Sequence, residues 1–438
     1  MNLLKWLPLQ LLHGQNKTMT IKALYPTTRP TLDLNFAAAK RLDPRITYSR
    51  ASTGTFVGSN GLIQSAAVNQ ARFEHNPLTG ESLGLLVERA KTNLVRYSQD
   101  MTDVTWSKTN LTVTKETIAG PAGTIGYDKV TLGTFTATAA QLRISITLTP
   151  GTLCSNSIYV KQGTCRYVYL VQQFTNSGGT GAYFDLQTGT FLTGGGLTAS
   201  STTIQALANG WYRIQLTVTD VGPGASAGFI LIPMTIPNPA INNSGGRQYN
   251  GNGEFIYAYG AQIEAGSFPT SYIPTVASAA TRAGDVADIT GANFSSWFNS
   301  SAGTVSVSNK TLGILPGSGA LGAWSINDNT TNNELTLLNL QPYYRVLIKS
   351  GNLVVAGNWL NSTTFSSITT GVSYDTTGAS WNYNGTTPNN FSTAGAFLAT
   401  QLELGHEAQN RRGSTCIKRF TYWPVRLPDA QLQALTAT

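Results

Sequence analysis

Charge is what this sequence has least of. Of 438 residues, 29 are Lys or Arg and 21 are Asp or Glu, so charged residues make up 11%. Globular chains usually carry about 25%. Coiled coils and helical bundles need periodic runs of Glu, Lys, Leu and Ala, and these are missing. Cysteine is also scarce: Cys154, Cys165 and Cys416 are an odd number with no CxxC pair, which excludes a disulfide framework and a cysteine zinc site. Three scattered histidines, His13, His75 and His406, cannot build a histidine-rich metal cage. No Walker A, dinucleotide fingerprint, HExxH or GxSxG motif is present. Neither a metal nor a cofactor is expected.

What the chain has instead is Thr, Ser, Asn, 44 Gly and aromatics at 10%. Polar faces built from hydroxyls and amides, combined with aromatic and β-branched residues, suit strands. The net charge of +8 is uneven. Residues 1–100 hold 12 Lys/Arg against 6 Asp/Glu, 101–278 hold 8 against 7, and 279–438 hold 9 against 8. No basic run resembles a nucleic-acid arm, so nucleic acid is not an expected partner. Met1 to His13 is apolar, with Lys5 and Pro8 inside it; it is too short to span a bilayer and lacks a small-residue cleavage site. Residues 1–18 therefore read as an apolar leader that lies on a surface, and Met19 is a second plausible start. No membrane span is expected.

Three blocks follow. Residues 19–90 carry short strand-like runs separated by turns, with a hairpin signal at Ser59, Asn60 and Gly61. Residues 91–278 contain many period-two runs, such as Trp211, Arg213-flanked Ile214, Leu216 and Val218, with no intervening helix. Such punctuation predicts a sandwich or barrel. Residues 276–283 read as a linker, and 279–438 form a third block of strands ending in a short helix near Asp429. The expected fold is all-β: an N-terminal arm over 19–90, then two antiparallel jelly-roll-like sandwiches over 91–278 and 279–438.

Carboxylates that would serve a glycosidase pair are few: Asp185, Glu254, Glu264, Asp328, Glu334, Asp375, Glu403 and Glu407. Aromatics are more informative. Trp381 and Tyr383 sit at i and i+2 and share a strand face. Asn382, Asn384, Asn389 and Asn390 beside them supply amides for sugar hydroxyls. Trp359, Trp381 and Tyr383 are therefore the candidate glycan-binding residues, and the competing role for each is inner-face packing. No catalytic residue is assigned.

The run from Leu32 to Met101, LDLNFAAAKRLDPRITYSRASTGTFVGSNGLIQSAAVNQARFEHNPLTGESLGLLVERAKTNLVRYSQDM, resembles the opening of tailed-bacteriophage fibre and spike proteins. WSKTNLTVTKE, SNSIYVKQG, YFDLQTGTF, NGWYRIQLTV and YGAQIEAGSFPTSYIPT resemble the phage head spike fibre domain, a jelly roll similar to carbohydrate-binding modules. CIKRFTYWPVRLPDAQLQALT resembles the end of concanavalin-like or laminin G-like sandwiches. The resemblance implies a virion component on the exterior of the capsid or tail, commonly trimeric, with no enzymatic residues. Attachment to other virion proteins is expected through residues 1–90, and a host surface glycan is the expected ligand. A polysaccharide depolymerase and a purely structural collar or decoration protein are the alternatives.

Overall fold

The computed structural model describes residues 26–149, 151–174, 178–193, 199, 201–219, 226–240, 247–313, 320–340, 343–351, 353–361, 367–392, 398–406 and 412–437. The apolar leader, 1–18, and Met19 lie outside the described residues. The fold is all-β and antiparallel, with two sandwiches. Period two drives it. On Trp211–Thr219 the side chains of Ile214, Leu216 and Val218 point inward, and on Gln141–Thr147 those of Leu142, Ile144 and Ile146 do.

One sandwich lies wholly within residues 107–265. One of its sheets runs in the order Ser201–Ala206, Trp211–Thr219, Leu153–Gln162, Phe255–Ala265, Asp128–Leu132, Leu111–Lys115. The other runs Thr190–Thr193, Gly178–Asp185, Tyr167–Phe174, Ser226–Met234, Gln141–Thr147, Ser107–Thr109. An apolar core lies between them, and Cys154 and Cys165 are buried in it as thiols outside any disulfide.

The second sandwich is not confined to the C-terminal block. The strand Ser414–Trp423 pairs with Ala302–Thr311 on one side and with both Leu32–Leu34 and Ser82–Glu88 on the other. Arg72–His75 extends that sheet beyond Ser82–Glu88. The facing sheet begins with Thr47–Ser49 paired to Val286–Thr290. Leu32, Leu34, Phe36, Leu85 and Val87 share one core with Val305, Trp324, Phe420 and Tyr422. The expected arm over 19–90 is therefore corrected for residues 26–90: they supply Leu32–Leu34, Thr47–Ser49, Arg72–His75 and Ser82–Glu88 to the sheets of the C-terminal sandwich. The physical reason is that their inward residues, such as Leu85 and Val87 in Ser82–Glu88, have no core of their own and complete a distant one. Gly84 is required at the join. Its φ is +91°, and a Cβ there would lie 2.0 Å from the Ile417 carbonyl oxygen.

The 107–265 sandwich is thus an insertion into the other, which we call the base. The chain leaves the base through Lys91–Asn93 and returns through Ala280–Arg282, and these two segments pair with each other. The expected linker at 276–283 is in part this neck. Asn93 clamps it from inside: its amide donates to the carbonyls of Ala261 (3.1 Å) and Ile273 (2.9 Å), and its Oδ1 accepts from the N–H groups of Val95 (3.0 Å) and Ile263 (3.1 Å).

The C-terminal helix Asp429–Thr436 buries Leu432 and Leu435, and Pro428 precedes it. Asp429 sits in the first turn rather than at the cap and accepts a bond from Asn390 (3.0 Å).

Beside the neck lies a buried ion cluster. Arg72 donates to Glu88 (2.7 Å) and to Asp285 (2.6 Å), Arg50 donates to Asp285 (3.2 Å), and Arg282 pairs with Glu88 (2.8 Å). All five side chains are at most 1% exposed. Truncation at Lys91 is expected to leave the insertion folded and the base unfolded, with limited proteolysis leaving a stable fragment close to 91–278. Arg72→Ala should cost on the order of 3–5 kcal/mol in urea unfolding, because it removes the cation shared by Glu88 and Asp285 and leaves Glu88 with Arg282 and Asp285 with Arg50 as their remaining cations.

Candidate functional site

Glu88 of the ion cluster lines a cavity of about 350 Å³ between base and insertion. Three parts of the chain wall it. From the base come the hairpin Gly54–Val57/Ile63–Ala66 and the strand Arg72–His75, together with Lys310 and Leu312. From the insertion come Tyr159, Gln205, Arg213 and Gln215. The third wall is the proline-bearing segment that includes Pro269 to Tyr272. Leu78, 62% exposed, stands at the mouth.

The seam around the cavity is aromatic. Ile63 of the hairpin packs among Tyr127, Tyr159, Trp211, Tyr259 and Tyr272. Tyr159 and Tyr272 meet edge-on at 6.0 Å. Ser271 is fixed by Glu88, which accepts from its N–H (2.9 Å) and its hydroxyl (2.6 Å). Thr270 is fixed likewise by Glu264, through N–H and hydroxyl bonds of 2.6 Å each. The segment that reads as a proline-rich stop in the sequence is therefore a strap tying insertion to base.

Two adjacent residues on the base strand bring titratable groups to the wall. The register slips between Glu74 and His75, with Leu83 as the extra residue opposite. Both side chains close on Val57: Glu74 Oε1 accepts from its N–H (3.1 Å), and the His75 ring donates from Nδ1 to its carbonyl (3.1 Å). Nε2 of His75 has no partner although the residue is 4% exposed. Desolvation in the wall, helped by the nearby Glu88 charge, pushes the Glu74 carboxyl up to about 8, against the Val57 bond and Arg72. Burial works on Glu88 in the same direction, but Arg282, Arg72 and Ser271 outweigh it and hold Glu88 at about 2. At neutral pH one carboxyl of the wall is a hydrogen-bond donor and the other a fully committed anion.

The expected aromatic site does not assemble. Trp381 is 3% exposed and belongs to the base core, stacked on Tyr383 at 5.9 Å. Strand spacing does put both rings on one face, but that face is the inner one. Tyr383 is only partly buried at the edge of the same core. Asn382 points the opposite way and is buried against Thr436 (2.8 Å). Trp359 lies on the strand Leu353–Asn361, and its side chain is outside the described residues.

The carboxylates singled out by sequence have other occupations. Asp185 forms a two-point pair with Arg166, Glu334 pairs with Lys349, and Glu403 accepts from Asn327 and Gln401. Asp328 and Asp375 close local turns, and Glu254 accepts from the Asn252 N–H. Glu407 lies outside the described residues. Sequence reasoning missed Glu74, His75 and Arg213. The signal at hand was a carboxylate and a histidine side by side in a short strand bounded by Asn76 and Pro77.

No protein-family model matches the chain, and no curated protein matches its sequence. Among solved structures, the CBM40 of a Ruminococcus gnavus IT-sialidase, bound to α2,3-sialyllactose, is similar over 32% of this chain and 84% of its own, at 16% identity and a TM-score of 0.27. The receptor-binding domain of a botulinum neurotoxin C/D mosaic serotype is similar over 35% of this chain and 40% of its own, at 11% identity and a TM-score of 0.29. A Trypanosoma rangeli sialidase is similar over 71% of this chain and 60% of its own, at 9% identity and a TM-score of 0.28. Likeness at this level assigns neither family nor ligand.

Two outcomes follow from this geometry. Trp381→Ala should destabilise the base by about 3–5 kcal/mol in chemical denaturation, as a core truncation does. Glu74→Gln should gain stability over the parent as pH rises. The parent's carboxyl is raised from its ordinary 4.5 to about 8, so the stability tied to its protonated form is complete below pH 4.5 and lost as pH climbs through 8. Urea unfolding between pH 5 and 9 should show the gap widen up to about pH 8 and then level off.

Proposed function

We propose that this chain is an exterior virion protein of a tailed bacteriophage that binds a host-surface glycan at the seam between base and insertion, without cutting it. The observation that carries the binding role is the cavity itself. Rings of Tyr159, Tyr272 and Phe56 line it beside the neutral amides of Gln205 and Gln215 and the hydroxyl-bearing Thr270 and Ser271. Sugars need this combination, apolar C–H faces against rings and hydroxyls against neutral donors and acceptors. The volume sits at the small end of the range for small-molecule sites.

The virion role is supported by the resemblance of Leu32–Met101 and of the insertion's segments to phage spikes and fibres. Because residues 26–90 are part of the base, attachment to other virion proteins is assigned to the base as a unit rather than to a detachable arm. Trimeric assembly follows from the same resemblance, and several copies on one particle would multiply a weak single-site affinity.

A polysaccharide-cleaving reading is favoured by one observation, two carboxyls of opposite tendency in one cavity. Against it stands the state of Glu88, whose Oε2 already takes Arg72, Arg282 and the Ser271 hydroxyl. The test is binding of the full chain to host cells and extracted host polysaccharide, with reducing ends measured in parallel. Binding should be saturable and fall at least tenfold in Arg213→Ala, with no reducing ends released. Absence of binding, or binding untouched by Arg213→Ala and Tyr159→Ala, overturns the site. Release of reducing ends that Glu74→Gln abolishes replaces binding by catalysis.

A further inference from the structure

The seam cavity has more to give a ligand than to receive from it. Arg213 uses Nη2 on the Ser157 hydroxyl (3.0 Å) and the Thr270 carbonyl (2.7 Å), while its Nε–H has no partner. Lys310 lines the cavity and forms no salt bridge among the described residues. Arg213 likewise has no carboxylate partner among the described residues. Two carboxylates of the joint, Glu88 and Glu264, are occupied in contrast. Glu88 is taken up by Arg72, Arg282 and Ser271, and Glu264 by Thr270. Glu74, half-buried in the wall beside Val57, offers its proton.

We infer that the glycan taken by this cavity is an acidic one, held by its carboxylate between Arg213, Lys310 and Glu74, with the ring packed toward Tyr159 and Tyr272. The inference rests on the glycan-binding role proposed above and narrows it to one chemical class. Arg213 and Lys310 bring two cations without a salt-bridge partner among the described residues to one confined space, and a carboxylate compensates their charge where a neutral sugar does not. A guanidinium N–H and a carboxylic O–H beside an ammonium are donors with no acceptor facing them, and a carboxylate supplies acceptors to all three. His75 Nε2, an acceptor while Nδ1 donates to Val57, matches a sugar hydroxyl rather than the acid group.

The geometry also sets a pH dependence. The charged and titratable groups near Glu74 are Glu88, Arg72, His75, Tyr159 and Cys416, and Arg213 and Lys310 line the same cavity. With Glu88 fixed as an anion, ionisation of Glu74 places a second negative charge beside the bound carboxylate and removes a donor. Binding of the acid should therefore weaken as pH rises past about 8.

The experiment uses the full chain on an array of uronic-acid and nonulosonic-acid oligosaccharides, each beside its carboxyl-reduced counterpart, with sulfated and neutral oligosaccharides on the same surface. The acid forms should bind at pH 7 and their reduced counterparts at least tenfold more weakly. Lys310→Met should lose a similar factor, and added salt should weaken the parent. Between pH 7 and 9 the parent should lose binding, whereas Glu74→Gln, whose amide keeps a donor, should bind at pH 7 and stay level. Equal binding of acid and reduced forms, or preference for neutral or sulfated sugars, overturns the acidic-carboxylate assignment while leaving glycan binding intact. A pH loss that persists in Glu74→Gln overturns the role given to that residue. Failure to bind any oligosaccharide overturns the glycan reading, and this inference with it.

Discussion

Everything in this molecule is arranged around five charged side chains that water does not reach. Arg50, Arg72, Arg282, Glu88 and Asp285 come from three separate stretches of sequence, and they meet where the chain passes from base to insertion and back. A buried ion network is a poor source of net stability, because desolvation offsets most of the attraction. What it supplies is a penalty for every other arrangement. If the strap at Thr270 and Ser271 slid by one residue, Glu88 would lose two bonds and Arg282 its hydroxyl partners. In a chain with so little charge, these residues stand where the two sandwiches must find one relative position.

The cavity is a by-product of that joint. Two convex sandwiches touching through a neck and a strap cannot close the whole seam, and the space left is walled by whatever the outer faces carry. On the insertion those faces carry Tyr159, Arg213 and Gln215, alternating with the inward Ile158, Ile214 and Leu216. On the base the wall is a short strand with a register slip, which turns Glu74 and His75 together onto Val57. Tyr159 of the insertion lies near Glu74, so domain docking contributes to the desolvation that raises its carboxyl.

Local pattern was legible in the sequence, and partnership was not. Period two along Trp211–Thr219 identifies a strand and its inward residues without help, and the hairpin at Ser59 to Gly61 is where its turn residues put it. The break between blocks near residue 90 is visible too, but its meaning is not. Leu32–Leu34 and Ser82–Glu88 look like strands of a local unit, and nothing in their composition says that their neighbour is Ser414–Trp423. Strand pairing is set by which faces can share a core, a non-local condition that one-dimensional spacing does not encode. Trp381 shows the same limit at one residue. Spacing places it with Tyr383 on one face, and only the facing sheet decides that this face is the inside. The site was harder still, because the pair Glu74 and His75 lies far along the chain from Arg213 and Lys310, and each has an ordinary explanation by itself.

The insertion topology gives the seam a mechanical meaning. Apart from the strap and the hairpin around Ile63, the insertion is held by two paired segments at Lys91–Asn93 and Ala280–Arg282. A ligand in the cavity touches both units at once, so its binding free energy adds to the joint whenever it is bound. Base and insertion would then be stiffer relative to each other in the bound state than in the free one. Occupancy of the seam is thereby coupled to the relative orientation of the two units on either side of the neck, using no moving part beyond the seam itself. The coupling is reciprocal: any contact that the base makes with its neighbours and that steadies the joint also favours the ligand, by the same free energy.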